Sequence, residues 1–448
     1  MSSLADTDQS SKFFEHFIKI QKYLFISLPF LIFSGPFLAD LSITLIGLIY
    51  FFQIIKEKKY NNLKSIFVYI FLIFWINTLI SSFISFSSYH NIGSSIVYIR
   101  FLFFVLGGIY LLRNDKNTLR HFCTVLTCTF ILVLFDGYIQ YFFNQGISGI
   151  VYNKARLSNF ITGELILGSY LSRLFPLVIL LNIYFYKNNM FFIFLLSILI
   201  ILVDVLIFLS GERASFFYLL ISIILIILMI NKFKILRLIT FLLSFSIILI
   251  ITINNDKVKN RMITQTFNDF KKEEKITEDN QLIDKKLSDN NQLVFFNKYN
   301  AFTKAHNQLY SSALKIYSDN NFLIGIGPKS FRKYCNKIEY ISLFGEDSCS
   351  THPHNTYIQL LTETGIIGFL IVFIIFLFIT YKIVEHIFFS IFKKKYLLDE
   401  LQIGGYIAIF ISLWPIVPTG NFFNNWISIT YFLPIIFILK DKYTNVKY

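Results

Sequence analysis

The sequence has little charge. Asp, Glu, Lys and Arg together make up 15% of its 448 residues, whereas soluble domains average about 25%. Hydrophobic residues account for 55% of the chain, and phenylalanine alone occurs 54 times. A soluble protein of this length would need a charged surface, so the composition excludes that class and favours a chain embedded in a lipid bilayer.

Long apolar runs stand in place of the missing charge. They are long enough to cross a hydrocarbon core of about 30 Å and predict about twelve transmembrane helices. The predicted spans are 23–38, 41–55, 66–87, 93–112, 121–140, 166–186, 190–209, 214–230, 236–253, 365–384, 403–417 and 427–440, of which the second and eleventh are short. The sequence therefore predicts an all-α polytopic membrane protein.

Basic residues lie on one side of these spans. The net charge of +14 does not indicate nucleic acid, because Lys and Arg cluster in short loops. These loops are Lys56 to Lys59, Arg113 to Arg120, Lys187, Lys232 to Arg237, Lys393 to Lys395 and the tail with Lys440, Lys442 and Lys447. The positive-inside rule then predicts that both termini are cytoplasmic. Because residues 1–22 are polar and mixed in charge, no cleavable signal peptide is expected.

This orientation leaves one large extracytoplasmic loop. We expect residues 1–253 to carry nine spans, residues 254–364 to form the loop, and residues 365–448 to carry three more spans. The charged segment 256–292 is assigned no chemistry. Apolar positions later in the loop, such as Leu309 and Ile316, predict amphipathic helices.

Cysteine is scarce, with four in the chain. Cys123 and Cys128 fall within one span and are interpreted as packing residues. Cys335 and Cys349 lie in the large loop, where an oxidising compartment would let them pair, and two unpaired thiols are the alternative. A bridge over a loop of this size stabilises by roughly 3 kcal/mol in the chain-entropy model.

The end of the large loop carries the most distinctive polar pattern. Ser350 or Thr351 is predicted to cap a helix that has Pro353 in its first turn. His354 would then lie beside free backbone N–H groups, which favour a neutral imidazole and attract phosphate. The alternative is an ordinary surface histidine. No zinc site is expected, because His352 and His354 lack a neighbouring Cys-x-x-Cys pair.

The residues that follow predict one polar helix face and one packing contact. Asn355, Gln359 and Glu363 recur every four residues and so share a face. Gly365 and Gly368 are interpreted as small residues that let another helix approach closely.

Four arginines depart from the positive-inside pattern. Arg100 and Arg173 lie in the outer halves of two spans, Arg213 at an outer turn, and Arg156 in an outer loop. An arginine at membrane depth is costly unless it faces a polar cavity or a partner. Guanidinium groups match phosphate oxygens, so the cluster predicts a site for a lipid-linked diphosphate. The alternative is ion pairing with Asp136, Glu164, Asp204 or Glu212, and for Arg100 the candidate partner is Asp204.

Together these features resemble a known family. The pair His354-Asn355, nine further residues, and then Gly365-Ile366-Ile367-Gly368 resemble the signature of the O-antigen ligase and O-antigen polymerase superfamily. The stretch 320–327, followed by Phe331 and Arg332, is similar to the glycine turn that precedes the histidine in that family.

A second turn adds to the resemblance. The turn at Arg213 is similar to the family's serine-glycine-arginine turn, although the acidic Glu212 beside it departs from the family pattern.

The resemblance implies a multi-span, GT-C-like glycosyltransferase of the bacterial inner membrane. Such enzymes take a glycan from undecaprenyl diphosphate at the periplasmic face, with neither a nucleotide sugar nor a metal, so no cofactor is expected. In the ligase branch the acceptor is a sugar of lipid A-core, and in the polymerase branch it is a second lipid-linked glycan. We expect direct displacement with inversion at the anomeric carbon.

The resemblance also implies roles for individual residues. His354 matches the catalytic histidine, which would accept or orient the proton of the acceptor hydroxyl. Arg213 matches the arginine that holds the diphosphate. The expected companions on the diphosphate are Arg173, Arg100 and Arg156, and the expected supporting residues are Asn355, His352 and Glu363. Asn421, Asn424 and Asn425, in the last outer turn, are candidates for contact with a sugar.

Two other classes of function fit the composition. A transporter or lipid flippase would place ionisable residues near the membrane midplane, whereas the unusual charges here gather towards one face. A membrane scaffold would leave the arginines within the spans without a role.

Overall fold

The structure is a computed structural model that describes residues 2–85, 88–151, 156–159, 161–270 and 303–440. Within these ranges every regular element is a helix. The helices up to the large loop are α1 (Ser2–Ser34), α2 (Pro36–Glu57), α3 (Ile66–Ile84), α4 (Ser88–Val97), α5 (Arg100–Asn114), α6 (Lys116–Phe143), α7 (Leu167–Tyr186), α8 (Met190–Leu209), α9 (Arg213–Met229) and α10 (Lys234–Asn254). The later helices are α11 (Asp256–Lys259), α12 (Gln265–Phe270), α13 (Lys304–Asp319), α14 (Phe331–Tyr334), α15 (Ile338–Phe344), α16 (Thr356–Phe392), α17 (Glu400–Ser412) and α18 (Asn425–Leu439).

The apolar runs do form membrane-length helices. Nine segments of the described chain are long and apolar enough to cross a membrane, namely Glu15–Ser34 of α1, α2, α3, Ile92–Asn114 across α4 and α5, α6, α7, α8, α10 and α16. The shorter apolar helices α9, α17 and α18 coincide with predicted spans eight, eleven and twelve. The chain is thus an all-α polytopic membrane protein, as predicted. The second span, expected to be short, is a helix of 22 residues.

Polar side chains define where several helices begin. Ser65 accepts a hydrogen bond from the backbone N–H of Val68 at the start of α3, and Asn189 does the same for Phe192 at the start of α8. Asp399 opens α17 with a capping box. These caps satisfy N–H groups of the first turn, which have no partner within the helix.

Helix α7 lies at the centre of the bundle. Of its most apolar stretch, 89% of residues are buried, compared with 28% for the peripheral helix α10. It packs against α8, α9 and α17. Polar groups on α7 are therefore enclosed by protein, which matters for Arg173 below.

One ion pair in the bundle corrects the sequence interpretation. Arg237, taken as part of a cytoplasmic basic loop, is 2% exposed and donates to both carboxylate oxygens of Asp204, at 2.8 and 3.0 Å. Ser244 donates a third hydrogen bond to Asp204 at 3.0 Å. Asp204 is therefore not the partner of Arg100, and the suggested pairing of those two residues is wrong.

The described parts of the large loop contain several helices joined by turns. They comprise α11, α12, α13, α14, α15 and the first turns of α16. Most of the charged segment 256–292 lies outside the described residues, as do Lys442 and Lys447 of the tail.

The buried pair gives a test of the bundle's energetics. Asp204→Asn should lower the free energy of unfolding by about 3–5 kcal/mol, because it leaves the buried guanidinium of Arg237 without its counter-charge. The double variant Asp204→Leu, Arg237→Met removes both charges and should be less destabilised than the single variant. Thermal unfolding in lipid nanodiscs measures both. Equal or greater loss in the double variant would contradict this account.

Candidate functional site

A break in helix α16 organises the site. Gly365 has φ of 65° and ψ of −172°, so the helix is interrupted there before it continues as a membrane span. The turn 322–327, which we call the inserted turn, fills the break with four backbone hydrogen bonds. The donor and acceptor pairs are Ile366 to Phe322 (2.9 Å), Ile367 to Leu323 (3.2 Å), Ile326 to Thr362 (3.1 Å) and Gly327 to Glu363 (2.8 Å).

These bonds replace the ones that the helix gives up. In an uninterrupted helix the N–H groups of residues 366 and 367 would donate to the carbonyls of residues 362 and 363. The inserted turn satisfies the same four groups, so none of them is left buried without a partner. The turn is thereby fixed to the helix at the level where the span begins.

Two glycines make this insertion possible. A Cβ atom on Gly365 would lie 2.3 Å from the carbonyl carbon of Leu323, and one on Gly325 would lie 2.6 Å from the backbone nitrogen of Gly365. Both glycines also have positive φ, which other residues adopt only at a cost. The interpretation of Gly365 as a helix-packing residue is therefore wrong. For Gly368 it fits, because an added Cβ atom would lie 3.0 Å from Nδ2 of Asn77 on α3.

Glu363 holds the segment that follows the inserted turn. Its fully buried carboxylate accepts hydrogen bonds from the backbone N–H of Phe331 at 3.0 Å and from Nε2 of Gln359 at 2.8 Å. The shared face predicted for Gln359 and Glu363 is present. The chain is thus fixed at Gly327 and at Phe331. These two contacts position Lys329, which lies between them, and Arg332, which follows.

Helix α16 begins later than the sequence suggested. Its N-cap is Asn355, whose side chain accepts from the N–H groups of Tyr357 and Ile358 at 3.0 and 3.1 Å. His354 has φ of 56° and so lies outside the helix. The prediction that Ser350 or Thr351 caps this helix is wrong, because the left-handed residue forces a turn before the first helical residue.

The two histidines of this turn are held differently. His352 is 7% exposed, and its Nε2 donates to the carbonyl of Thr419 at 3.1 Å while Nδ1 accepts from Thr351 at 2.9 Å. Burial lowers the pKa of His352 to about 4, so it stays neutral. His354 is half-buried, with Nε2 3.3 Å from Ser350 Oγ, and burial lowers its pKa as well. Its ring centre lies 4.1 Å from that of His352.

The histidine turn is tied to the loop before α18. The N–H of Thr419 donates to the carbonyl of His354 at 2.8 Å, and Asn355 Nδ2 donates to Pro415 at 2.8 Å. On the other side, Cys335 and Cys349 are joined in a disulfide with Cα atoms 5.1 Å apart. The turn is thereby anchored both to the membrane bundle and to the folded part of the large loop.

A cavity of about 540 Å³ opens beside this turn. Its lining comes from links between the spans, namely Gly35, Pro36, Asn159, Thr162, Glu164, Glu212, Lys329, Arg332, Thr351, His352, Gly420, Asn421, Asn424 and Asn425, together with helix ends at Ile32, Ile166, Ser169, Trp426 and Ile427. We call it the large cavity. His352 is part of this lining. His354 is not, and its ring centre lies 4.1 Å from that of His352.

The predicted arginines have different relations to the large cavity. Arg173 is 1% exposed, bonds to Ser169 of the cavity wall, and lies 4.8 Å over the ring of Tyr218. It forms no ion pair with any described residue. Arg156 donates to the carbonyl of Leu165 at 2.8 Å. The charges of both arginines act on the buried carboxylate of Glu212 in the cavity wall.

The other two arginines point elsewhere. Arg213 lies 3.4 Å from Thr266 Oγ1 on α12 and is not part of the lining of the large cavity. Arg100 forms an ion pair with Asp40 at 2.6 Å and donates to Asn425 at 2.9 Å. The partner of Arg100 is therefore Asp40, which the sequence analysis did not consider.

One segment of the chain matches a known protein family. Residues 195–373 match the family model described as O-antigen ligase. This segment is similar to the O-antigen ligase superfamily. The matched segment includes Arg213, the inserted turn, His354 and the break at Gly365, whereas Arg100, Arg156 and Arg173 precede it. A search of curated proteins found no match.

Lys329 is the residue of this O-antigen ligase domain that the sequence analysis missed. It lines the large cavity and has a positive φ of 60° between the two anchored ends of its segment. In sequence, a lysine in the large loop resembles any solvated charge. The signal that could have found it is its position two residues after Gly327.

Metal ligands do not cluster in the part of the chain that the structure describes. No three His, Cys, Asp or Glu side chains lie close enough together there to hold an ion. Metal independence stays a prediction.

The inserted turn predicts that replacing Gly365 lowers the stability of the protein. Gly365→Ala should lower the free energy of unfolding by at least about 2 kcal/mol, because the new methyl group meets the backbone of Leu323 and the positive φ becomes strained. Gly404→Ala is the matched control, since its added methyl group meets neighbours no closer than 3.4 Å. Thermal unfolding of both variants in nanodiscs decides the point. If Gly365→Ala were as stable as Gly404→Ala, the inserted turn would not carry the role given to it.

Proposed function

We propose that this protein is an O-antigen ligase that transfers a glycan from undecaprenyl diphosphate to a sugar hydroxyl of lipid A-core. The family match supports the reaction class. The observation that carries the proposal is that the histidine turn (350–354) and the segment 328–332, which we call the cationic turn, both contribute to the lining of one polar cavity. No nucleic acid takes part in this reaction.

The cations around the large cavity suit a diphosphate. Lys329 and Arg332 lie in its wall, and Arg156 and Arg173 lie behind Glu212 and Ser169 of the same wall. Guanidinium and ammonium groups stabilise the charge that grows on a departing diphosphate. Arg213 and Arg100 remain predicted members of the diphosphate site, with Thr266 and Asp40 as their present neighbours.

His354 is the proposed general base. Because burial lowers its pKa below the usual 6.5, the imidazole is neutral at pH 7 and free to take a proton. The oxygen of the acceptor hydroxyl forms a bond to the anomeric carbon while the bond from that carbon to the diphosphate oxygen breaks. The hydroxyl proton passes to His354, the electron pair leaves on the diphosphate, and the anomeric configuration inverts. His352, Asn355 and Glu363 act as positioning residues through the hydrogen bonds described above.

The proposed site lies at the periplasmic face of the inner membrane. The lining of the large cavity comes from links that the positive-inside rule assigns to the outside, such as Gly35, Glu212 and Gly420. Ion pairs of predicted cytoplasmic residues, Lys22 with Asp115 and Lys187 with Glu400, involve none of that lining. Both termini are then cytoplasmic, and the bilayer between the spans accommodates the polyprenyl tail of the donor.

An O-antigen polymerase is the second candidate, because the same family signature and the same site would serve a second lipid-linked glycan as acceptor. A lipid or solute transporter is less favoured, since the large cavity is lined by links between the spans and by the helix ends next to them.

The base role of His354 can be tested by substitution. His354→Ala should lower the transfer rate by about 10²–10⁴-fold, because proton removal from the acceptor is lost. His306→Ala is the matched control, since its ring lies 5.9 Å from that of His354 and has no assigned role. The assay uses purified protein in nanodiscs with a labelled undecaprenyl-diphosphate glycan. Full activity of His354→Ala, with unchanged thermal unfolding, would refute the assignment.

The same assay separates the two candidate acceptors. The reaction is run with and without lipid A-core, and with a chelator present throughout. Product that requires the core identifies a ligase, whereas elongated lipid-linked chains without the core identify a polymerase. The absence of both products from wild-type protein would refute the transferase proposal.

A further inference from the structure

A second, smaller cavity lies on the other side of Lys329. Its volume is about 250 Å³. It is lined by Thr78, Gly93, Ser94, Ser95, Val97, Tyr98, Arg100, Pro328, Lys329, Phe423 and Asn425. We call it the small cavity. It shares Lys329 and Asn425 with the large cavity, so the two spaces adjoin at these side chains.

The lining of the small cavity has the chemistry of a sugar site. Thr78, Ser95 and Asn425 supply hydroxyl and amide groups that can bond to sugar hydroxyls. Tyr98 and Phe423, with ring centres 5.7 Å apart, supply an apolar wall for a sugar face. Thr78, Ser95 and Asn425 each have a hydrogen bond within the protein, and the remaining lone pairs of the hydroxyls and the Nδ2 group of Asn425 can bond to a sugar. A bare phosphate would leave the aromatic wall uncovered.

The charges around the small cavity favour an anionic occupant. Arg100 is neutralised by its ion pair with Asp40. Lys329 has no carboxylate within ion-pair distance among the described residues. Two carboxylates act on the charge of Lys329, namely Asp40, which is paired with Arg100, and Glu363. Both oxygens of Glu363 already accept hydrogen bonds. The ammonium group of Lys329 is thus available to bind an anion in the small cavity. Its three N–H donors allow contacts in both cavities.

We propose that the small cavity is an acceptor subsite, which binds a monosaccharide unit carrying a carboxylate or a phosphate. This inference rests on the proposed transferase function. With the donor diphosphate in the large cavity, Lys329 lies between the two substrates and draws the anionic group of the acceptor towards the donor. The acceptor is thereby selected by its charge as well as by its shape.

Gly93 offers a direct way to close the small cavity. A Cβ atom there would meet no heavy atom within 4 Å, so a larger side chain enters open space and leaves the backbone undisturbed. Gly93→Phe should therefore fill the small cavity. Ile96→Phe is the matched control, because Ile96 is on the same helix, is 50% exposed and is not part of the lining.

Binding is measured by saturation-transfer NMR titration of the protein in nanodiscs with glucuronate, glucose 1-phosphate and glucose, and inorganic phosphate is tested as a competitor by calorimetry. Glucuronate and glucose 1-phosphate should bind wild-type protein at least about tenfold more tightly than glucose does, as expected for one hydrogen bond to a charged group. Gly93→Phe should abolish this binding, Lys329→Met should remove the preference for the anionic sugars, and Ile96→Phe should change neither. Thermal unfolding shows that each variant is folded.

The outcomes distinguish this inference from the proposed function. Equal binding by wild-type protein and Gly93→Phe, or an absence of preference for the anionic sugars, would overturn the acceptor subsite even if transfer is observed. Binding only of inorganic phosphate, without any sugar, would overturn it as well. Charge-selective sugar binding that Gly93→Phe abolishes supports a site for an anionic sugar in the small cavity. If the transfer assay fails while this binding is present, the proposed function is refuted and the sugar site is not.

Discussion

The site depends on the hydrogen bonds between a broken membrane helix and the turn inserted into it. A helix that stops at Gly365 would leave two N–H groups and two carbonyls unpaired in a dry environment, at a cost of several kcal/mol. The inserted turn 322–327 satisfies all four. It also brings part of the large loop to a defined height on the bundle. Lys329 and Arg332 follow this turn directly, and the histidine turn precedes the same helix, so one helix positions both.

Buried charge is used in two ways in this protein. The pairs Arg237–Asp204 and Arg100–Asp40 are ion pairs whose charges compensate each other within the fold. Arg173 and Lys329 form no such pair among the described residues, and each contacts or lines a cavity. Glu212 and Glu363 act on these two cations without forming an ion pair with them, and a cation that is only partly compensated is unfavourable in the empty protein. An anionic substrate relieves that cost, which ties the electrostatics of the bundle to binding.

Sequence reasoning located the helices because apolar runs of membrane length have few alternative structures. The segment 320–332 was singled out by its resemblance to the family's glycine turn, and the structure supplies the reason, since positive φ and close backbone approach both require glycine there. Pairings distant in the sequence were beyond sequence reasoning, as with Arg100 and Asp40, which are 60 residues apart. The start of helix α16 was misplaced because Ser350, Thr351 and Asn355 are all good N-caps. Only the left-handed conformation of His354 decides among them.

The central claim is that the cationic turn and the histidine turn face one donor site. The most direct measurement is a cryo-electron microscopy structure in nanodiscs with an undecaprenyl-diphosphate glycan bound. We predict the diphosphate in the large cavity, within hydrogen-bond distance of Lys329 or Arg332, with the first sugar towards His352 and His354. A diphosphate bound on the far side of Arg213, beside Thr266 and away from both turns, would contradict the account.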